Sequence, residues 1–414
     1  MKKLVLMAAG KGERLRPLTE TRQKTLMPIL GQPLICRHIN EITKYFNFDE
    51  IIVIVSYMKD QVINAIKSCS NLNNIKFVDQ IEEKGTGHAI KIAMENGGNA
   101  DYLIVYSDVY LSKKIYERLV SLKNPGIVAT GVDDPWNYGI IKTQDGILKD
   151  IIEKPKSQNY FNSNKIFGGI LNLPYEIKHY LDNLKKSLRG EYEVTDALKQ
   201  IISSFDVDVL EIDKNSWQDI GKPWDLLIAN RLAIDEEITK PEINGTVDKT
   251  AVIDGNVLIG KGSKIGPYVV IEGPVYISEN VKIGPCTHIR PYTVILSNAK
   301  VGYSVEVKGS IVMEEAKLPH FNYVGDSIIG ENVNLGAGTI TANLRFDHKP
   351  IKMMVKNEII DTKMEKLGVV MGGNSQTGIN VSILPGKKIG SYALIYPGCV
   401  VDRDVNSKEV FKCK

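Results

Sequence analysis

From Val247 onward an aliphatic residue recurs at every sixth position: Ile253, Ile259, Ile265, Ile271, Ile277, Ile283, Ile289, Ile295, Val301 and Val307 continue the series. Neither an α-helix, with its period of 3.6, nor a plain strand, with its period of two, needs such a spacing. A hexapeptide repeat marks a parallel β-helix, whose coils stack aliphatic side chains in an interior column. Glycine follows the column at Gly260, Gly266, Gly284 and Gly302, which suits tight corners between short strands. Four positions after the column come Ala251, Val257, Val269, Val275, Val281 and Val305, a second inward set. After Val307 the sixth positions hold Met313 and Pro319, which predicts that residues from about Gly309 to Tyr323 leave the regular coil. The phase returns, shifted, at Ile329 and Leu335 and again at Ile383, Ile389, Ile395 and Val401. The charged, Lys- and Met-rich stretch Leu344–Lys366 lies between these runs. Loops that interrupt a repeat scaffold are where function concentrates.

The first half has a different rhythm. Short apolar runs at Lys3–Met7, Ile51–Val55, Ile75–Val78 and Tyr102–Tyr106 alternate with helical spacing at Pro33–Phe46, Lys59–Lys67 and Gly87–Glu95. That alternation predicts a mainly parallel sheet wrapped by helices, an α/β nucleotide-binding (Rossmann-like) architecture with ligands at the carboxyl ends of the strands. Residues 223–238 read as a helix, and Pro241 marks the hand-over to the repeat. Two domains follow, 1–240 and 241–414.

A length of 414 residues agrees with two domains, and 43% hydrophobic residues suffice for a large core. A net charge of +3 gives no reason to expect nucleic acid. The five cysteines, Cys36, Cys69, Cys286, Cys399 and Cys413, are scattered and without CxxC spacing, which predicts a reducing cytoplasm and argues against a disulfide framework or a zinc site. The apolar stretch near the start is too short for a signal peptide, and no run approaches a membrane span.

The first strand runs into Gly10-Lys11-Gly12-Glu13-Arg14-Leu15-Arg16-Pro17-Leu18-Thr19, with Lys24 and Pro28 beyond. Glycines let backbone N–H groups approach phosphate oxygens, and Arg14 and Lys24 can neutralise them. The whole string resembles the signature of the sugar-1-phosphate nucleotidyltransferases. The resemblance continues in order to about Asn230, through Gln80 and Gly85-Thr86, Asp108, Gly139, Glu153-Lys154-Pro155, Gly190-Glu191-Tyr192, Thr195-Asp196 and Trp217-Gln218-Asp219-Ile220-Gly221. It implies a nucleotide site at Ala9, Gly10, Gly12, Gln80, Gly85 and Thr86, sugar contacts at Gly139, Glu153 and Lys154, and Mg²⁺ ligands at Asp108 and Asp219. Lys24 and Arg14 would offset charge on the α-phosphate and on the departing pyrophosphate. Such chemistry rests on positioning and charge neutralisation, and Mg²⁺ asks for only one or two carboxylates.

The interrupted repeat carries a second resemblance. Lys317-Leu318-Pro319-His320-Phe321-Asn322-Tyr323-Val324-Gly325-Asp326, then Asn334-Leu335-Gly336-Ala337-Gly338-Thr339, with Ile289-Arg290-Pro291 and Val305-Glu306-Val307-Lys308 upstream, resemble the acetyltransferase half of the bifunctional glucosamine-1-phosphate acetyltransferase/N-acetylglucosamine-1-phosphate uridylyltransferases. This implies a left-handed β-helix and His320 as the catalytic base, since imidazole can take the proton of an attacking amine. It implies Arg290 and Lys308 on the sugar phosphate, Tyr323 and Asn334 on the sugar, and Ala337, Gly373 and Gly398 along the acetyl-CoA channel. Such sites form between neighbouring β-helices, so a cytoplasmic homotrimer is expected, acting on UTP or dTTP, a sugar-1-phosphate and acetyl-CoA, without nucleic acid or membrane.

The chain departs from these patterns in places. Phe167-Gly168-Gly169 lacks an asparagine before its Gly-Gly turn, Ser107 replaces a glycine before Asp108, Leu344-Arg345-Phe346-Asp347 replaces Asn-Tyr-Asp-Gly, and Gly373 stands where serine is common. Two alternatives stand beside the bifunctional reading. One is a glucose-1-phosphate thymidylyl- or uridylyltransferase with a structural or regulatory β-helix; the other is a non-enzymatic translation-factor exchange subunit.

Overall fold

Continuous apolar strands need cover on both faces, and the first half provides it. The computed structural model describes residues 1–82, 84–155, 163–187 and 189–413. Strands Ile75–Asp79, Glu50–Val55, Lys2–Ala8 and Asp101–Tyr106 lie side by side in parallel. Lys165–Leu173 then joins antiparallel and leads into Gly126–Gly131, Asp208–Ile212, Ile147–Glu153 and Gly139–Gln144, nine strands in all. Alternate residues serve opposite cores: Val5, Ile52 and Ile54 pack under the helix Thr86–Gly97, while Leu4, Leu6, Val53 and Val55 pack under the helix Leu34–Ile42. The alternation of strand and helix therefore appears as expected. The first helix ends at Ile42 rather than Phe46.

In the second half the hexapeptides close into three-sided coils. Val257 pairs with Val275 and that with Thr293; Lys264 pairs with Lys282 and Lys300; Val270 pairs with His288 and Glu306. All three ladders are parallel with a step of eighteen residues, the arrangement of a parallel β-helix. The inward column from Ile259 to Val401 and the second set, Val257, Val269, Val275, Val281 and Val305, form one continuous core.

The expected departure from the coil at Gly309–Tyr323 does not occur. Lys300 pairs with Lys317 and that with Asn334, seventeen residues apart, and the column steps from Val307 to Val312 and from Val324 to Ile329. One residue is missing from the same corner of two successive coils, which throws the sixth-position count out of phase without breaking the ladder. The true excursion follows: Ile328 pairs with Val370 and Ile340 with Ser382. Its ends are bridged at Leu344 and Lys366, and it carries the hairpin Lys352–Val355/Glu358–Asp361.

The chain divides into two compact units, Met1–Lys11, Gln23–Leu26 and Pro33–Asp219 in one, Gly12–Arg22, Met27–Gln32 and Ile220–Lys414 in the other. The helix Pro223–Glu237 thus belongs with the coils, although the sequence boundary was expected at 240. Two cysteine pairs are bonded, Cys36–Cys69 and Cys399–Cys413, leaving Cys286 free. This overturns the expectation of unpaired thiols. The first bond joins the ends of two neighbouring helices and the second ties the C-terminal segment to the last coils, proximities that spacing in sequence does not reveal. Among the described residues no helix is long and apolar enough to cross a membrane.

Candidate active sites

In the first unit the loop after Lys2–Ala8 opens onto a cavity of about 260 Å³. Its lining includes Ala9, Gly10, Gln80, Gly85, Thr86 and Asp108, all expected, together with Tyr106 and Glu191. Gly85 has a φ of +105°, and a Cβ there would lie 2.6 Å from the Tyr192 carbonyl oxygen, so only glycine fits. That conformation starts the helix Thr86–Gly97 with the Thr86 hydroxyl accepting from Val194 N at 3.2 Å. Gln80, almost fully buried, donates to the Gly85 carbonyl at 3.3 Å. Burial drives the Tyr106 hydroxyl far up from its usual pKa, so it stays neutral and hydrogen-bonded to Thr86.

Asp108 leaves the end of Asp101–Tyr106 and forms an ion pair with Lys24. The pairing of Trp217–Asp219 with Val109–Leu111 sets Asp219 opposite Val109, one residue from Asp108. Two carboxylates brought close by this strand pairing, Asp108 of them lining the cavity, are a donor set that suits Mg²⁺ completed by substrate oxygens. The sequence reading missed Gln23. Its side chain is wholly buried and donates to the carbonyls of Ala8 at 2.9 Å and Gly10 at 3.3 Å, while its oxygen accepts from Thr25 N at 2.6 Å. It thereby fixes the turn that presents Lys24. Its position beside Lys24 was the only signal.

Gly139 pairs with Glu153, and a Cβ on it would meet Thr195 Cγ2 at 3.0 Å and Glu153 Oε2 at 3.2 Å. Burial first, and the neighbouring Glu193 charge after it, raise the Glu153 carboxyl above the usual range, with Lys154 opposing. Arg189, also missed, reaches Glu153 at 3.8 Å and Glu191 at 3.6 Å and pairs with Glu193. It links the expected sugar residues to the cavity wall. Gly12 and Arg14 belong to the other compact unit, where Gly12 is left-handed at φ +63° and caps the turn Glu13–Leu15.

In the second unit Arg290, Lys308 and Tyr323 share one ladder on adjacent coils, since Ile289 pairs with Val307 and Glu306 with Tyr323. With Ile289, Val307 and Val324 inward, their neighbours project outward. Arg290 reaches Glu306 at 2.9 Å, and that hydrogen bond raises its pKa. His320 closes the strand Lys317–His320, is exposed, and precedes the corner leading into Tyr323. Its carbonyl accepts from Gly338 N at 3.1 Å. Asn334 bridges Lys317 and Gln376 on that strand's ladder, while Ala337 and Gly398 lie at the His320 corner, bonded to Asn380 and Ile379.

Gly373 does not join them. A Cβ there would meet Glu331 Oε1 at 2.6 Å and Thr21 Oγ1 at 2.8 Å, at a different corner of the coil. Asp326, missed in sequence, is 4% exposed and left-handed at φ +46°. It accepts from Asn343 at 2.6 Å, Arg231 at 3.3 Å and Lys308 at 3.4 Å. Asn343 in turn hydrogen-bonds the Tyr323 hydroxyl, whose pKa is raised chiefly by burial.

Residues 3–236 match the nucleotidyl transferase family model, and residues 271–359 match a model described as the GMPPB C-terminal domain. The bifunctional protein GlmU of Methanococcus maripaludis is 42% identical over 98% of this chain and 95% of its own length. A bifunctional sugar-1-phosphate nucleotidylyltransferase/acetyltransferase of Sulfurisphaera tokodaii is 43% identical over 99% of this chain and its whole length. The chain belongs to this bifunctional sugar-1-phosphate nucleotidylyltransferase/acetyltransferase family. As an enzyme of that family it has a nucleotidyltransferase half and an acetyltransferase half. A solved UDP-glucose pyrophosphorylase in complex with UDP-glucose, 23% identical, superposes with a TM-score of 0.51 over 57% of this chain and all of that one, which shows the nucleotidyltransferase fold.

Proposed function

We propose that the enzyme makes UDP-N-acetylglucosamine in two steps, acetylating glucosamine-1-phosphate with acetyl-CoA and then joining the product to UTP, with dTTP as a second nucleotide. The observations that support this are the Lys24–Asp108 ion pair beside the first cavity and the shared ladder of Arg290, Lys308 and Tyr323, with His320 ending the strand that precedes Tyr323. In the acetyltransferase half, the amine of the sugar attacks the thioester carbonyl. The C–N bond forms, His320 takes the proton that the nitrogen loses, the C–S bond breaks, and that proton passes to the departing thiolate. Arg290 and Lys308 hold the phosphate and Tyr323 and Asn334 the sugar, with acetyl-CoA passing Ala337 and Gly398.

In the nucleotidyltransferase half a sugar phosphate oxygen attacks the α-phosphorus and pyrophosphate leaves. Gln80, Gly85 and Thr86 orient the base; Ala9, Gly10 and Gly12 approach the phosphates; Gly139, Glu153 and Lys154 hold the sugar. Lys24 and Arg14 offset the phosphate charge. Mg²⁺ on Asp108 and Asp219, when bound, supplies charge neutralisation on the phosphate oxygens.

The coils are proposed to be left-handed and to assemble as a homotrimer in the cytoplasm, where nucleoside triphosphates and acetyl-CoA are held. Supporting assembly, Phe321, Ile340, Ile379, Leu394, Tyr396 and Val400 expose apolar surface along neighbouring coil faces, more than scattered surface residues account for.

The test is thiol release from acetyl-CoA with glucosamine-1-phosphate, and pyrophosphate release with UTP and N-acetylglucosamine-1-phosphate. His320→Ala should abolish the first and spare the second, and Lys24→Ala the reverse. Thiol release that survives His320→Ala would remove the assigned base.

A further inference from the structure

Within the coil unit, Asp326 is a carboxylate held almost entirely out of solvent at the corner that follows the strand Tyr323–Gly325. Donors reach it from separate stretches of the chain. Asn343 Nδ2 comes to 2.6 Å from the foot of the excursion, Arg231 to 3.3 Å from the helix Pro223–Glu237, and Lys308 Nζ to 3.4 Å from the adjacent coil. Asn343 also hydrogen-bonds the Tyr323 hydroxyl. Two glycines keep this space open. A Cβ on Gly325 would lie 2.6 Å from the Tyr323 hydroxyl oxygen and 2.7 Å from Asn343 Nδ2, and a Cβ on Gly309 would lie 2.7 Å from Asp326 Oδ1. Gly309 is left-handed at φ +54°, yet the same corner on the adjacent rungs is left-handed at Tyr292, φ +62°, and at Asp326, φ +46°. The conformation therefore tolerates a side chain. What this corner lacks is room for one against the carboxylate.

We propose that Asp326 is a positioning residue for acetyl transfer, aiming Lys308 at the phosphate of the amino sugar and, through Asn343, fixing the Tyr323 hydroxyl against the sugar. The inference rests on the acetyl-transfer reading above. The coil has no need of a charge at this corner, since an apolar side chain of similar size buries with a smaller desolvation cost. A buried carboxylate must be matched by donors, and the donors here are Lys308 itself and the partner of Tyr323. A lysine ammonium is a point charge on a flexible stem with several donors. The contact with Asp326 sets its direction and leaves its other protons for phosphate oxygens, and part of the Lys308 side chain stays exposed to receive them. Asp326, being buried, meets no substrate and acts only through its neighbours.

The experiment is steady-state thiol release by the full-length enzyme with acetyl-CoA and glucosamine-1-phosphate, comparing wild type, Asp326→Asn and Gly309→Ala. The amide carries no charge for the ammonium and has a single acceptor oxygen for Arg231, Lys308 and Asn343 together. Asp326→Asn should raise KM for glucosamine-1-phosphate about ten-fold, the lower end for losing a hydrogen bond to a charged group. KM for acetyl-CoA should stay within about two-fold of wild type, as should pyrophosphate release by the other half. Gly309→Ala keeps the charge and crowds the carboxylate, so the same one-sided rise should appear at about three-fold. It also keeps the proposal open to refutation should Asp326→Asn not fold. An unmoved KM for the amino sugar in a folded variant would overturn the proposal. Equal loss for both substrates would do so too, because general loosening of the coil produces that pattern. Thiol release by the wild type is measured first: none would overturn the acetyl-transfer reading, whereas release with an unmoved KM in the variants would overturn this proposal alone.

Discussion

Acid should unfold this enzyme partly through His38. The ring sits in the helix Leu34–Ile42 with no exposed surface, and Nδ1 is 3.1 Å from the Tyr116 hydroxyl. Burial, reinforced by the adjacent Arg37 charge, lowers its pKa from 6.5 to about 4. Folded His38 is therefore neutral at pH values where an unfolded histidine is already protonated. A lowered folded pKa means that this contribution to stability is whole above pH 6.5 and is lost as pH falls from 6.5 towards 4. At ~1.36 kcal/mol per pH unit the loss sums to roughly 3 kcal/mol, a large share of an ordinary stability of ~5–15 kcal/mol. Urea midpoints of wild type and His38→Gln, measured from pH 7.5 to pH 4, isolate the effect, because glutamine keeps a polar group near Tyr116 and does not titrate. Glu153 and Asp196, both raised chiefly by burial, act in the opposite sense, losing stability as pH rises through their raised values. They cancel in the difference between the two proteins. A difference that stays flat across the window would refute the buried, neutral assignment.

Two further substitutions test the scaffolds. Gly85→Ala forces a Cβ against the Tyr192 backbone at φ +105°, so KM for the nucleoside triphosphate should rise at least several-fold while acetyl transfer is unchanged; steady-state kinetics of both reactions will show whether it does. Ile289→Ala empties a fully buried site in the coil column and should cost about 2–5 kcal/mol in urea unfolding, with the coil transition moving rather than the first unit's.

The coils were legible because a period of six has no competing explanation, and each inward residue declares itself. The parallel strands Lys2–Ala8 and Glu50–Val55 were legible as unbroken apolar runs. The two seventeen-residue steps were not, since deleting one corner residue shifts phase and looks like a break when counting by sixes. In the first site, Ala9, Gly10, Gln80, Gly85, Thr86 and Asp108 meet at one cavity as their motif order suggested. Gln23 escaped because its role is to bond backbone carbonyls, which no residue type advertises, and Asp326 because a buried carboxylate collecting Arg231, Lys308 and Asn343 leaves no local spacing to find. Gly373, which the resemblance sets along the acetyl-CoA channel, has Glu331 and Thr21 as the nearest neighbours of an added Cβ, a closeness that the sequence does not announce.

The excursion between Asn343 and Leu367 leaves the coil and rejoins it with its feet bridged, while the rungs on either side pair directly with one another. Loop closure depends only weakly on length under those conditions. The hairpin is therefore an exchangeable part: lengthened, shortened or transplanted from a relative, it leaves the stack standing. A replacement that keeps Lys356 at the tip keeps its 2.9 Å ion pair with Glu13 as well.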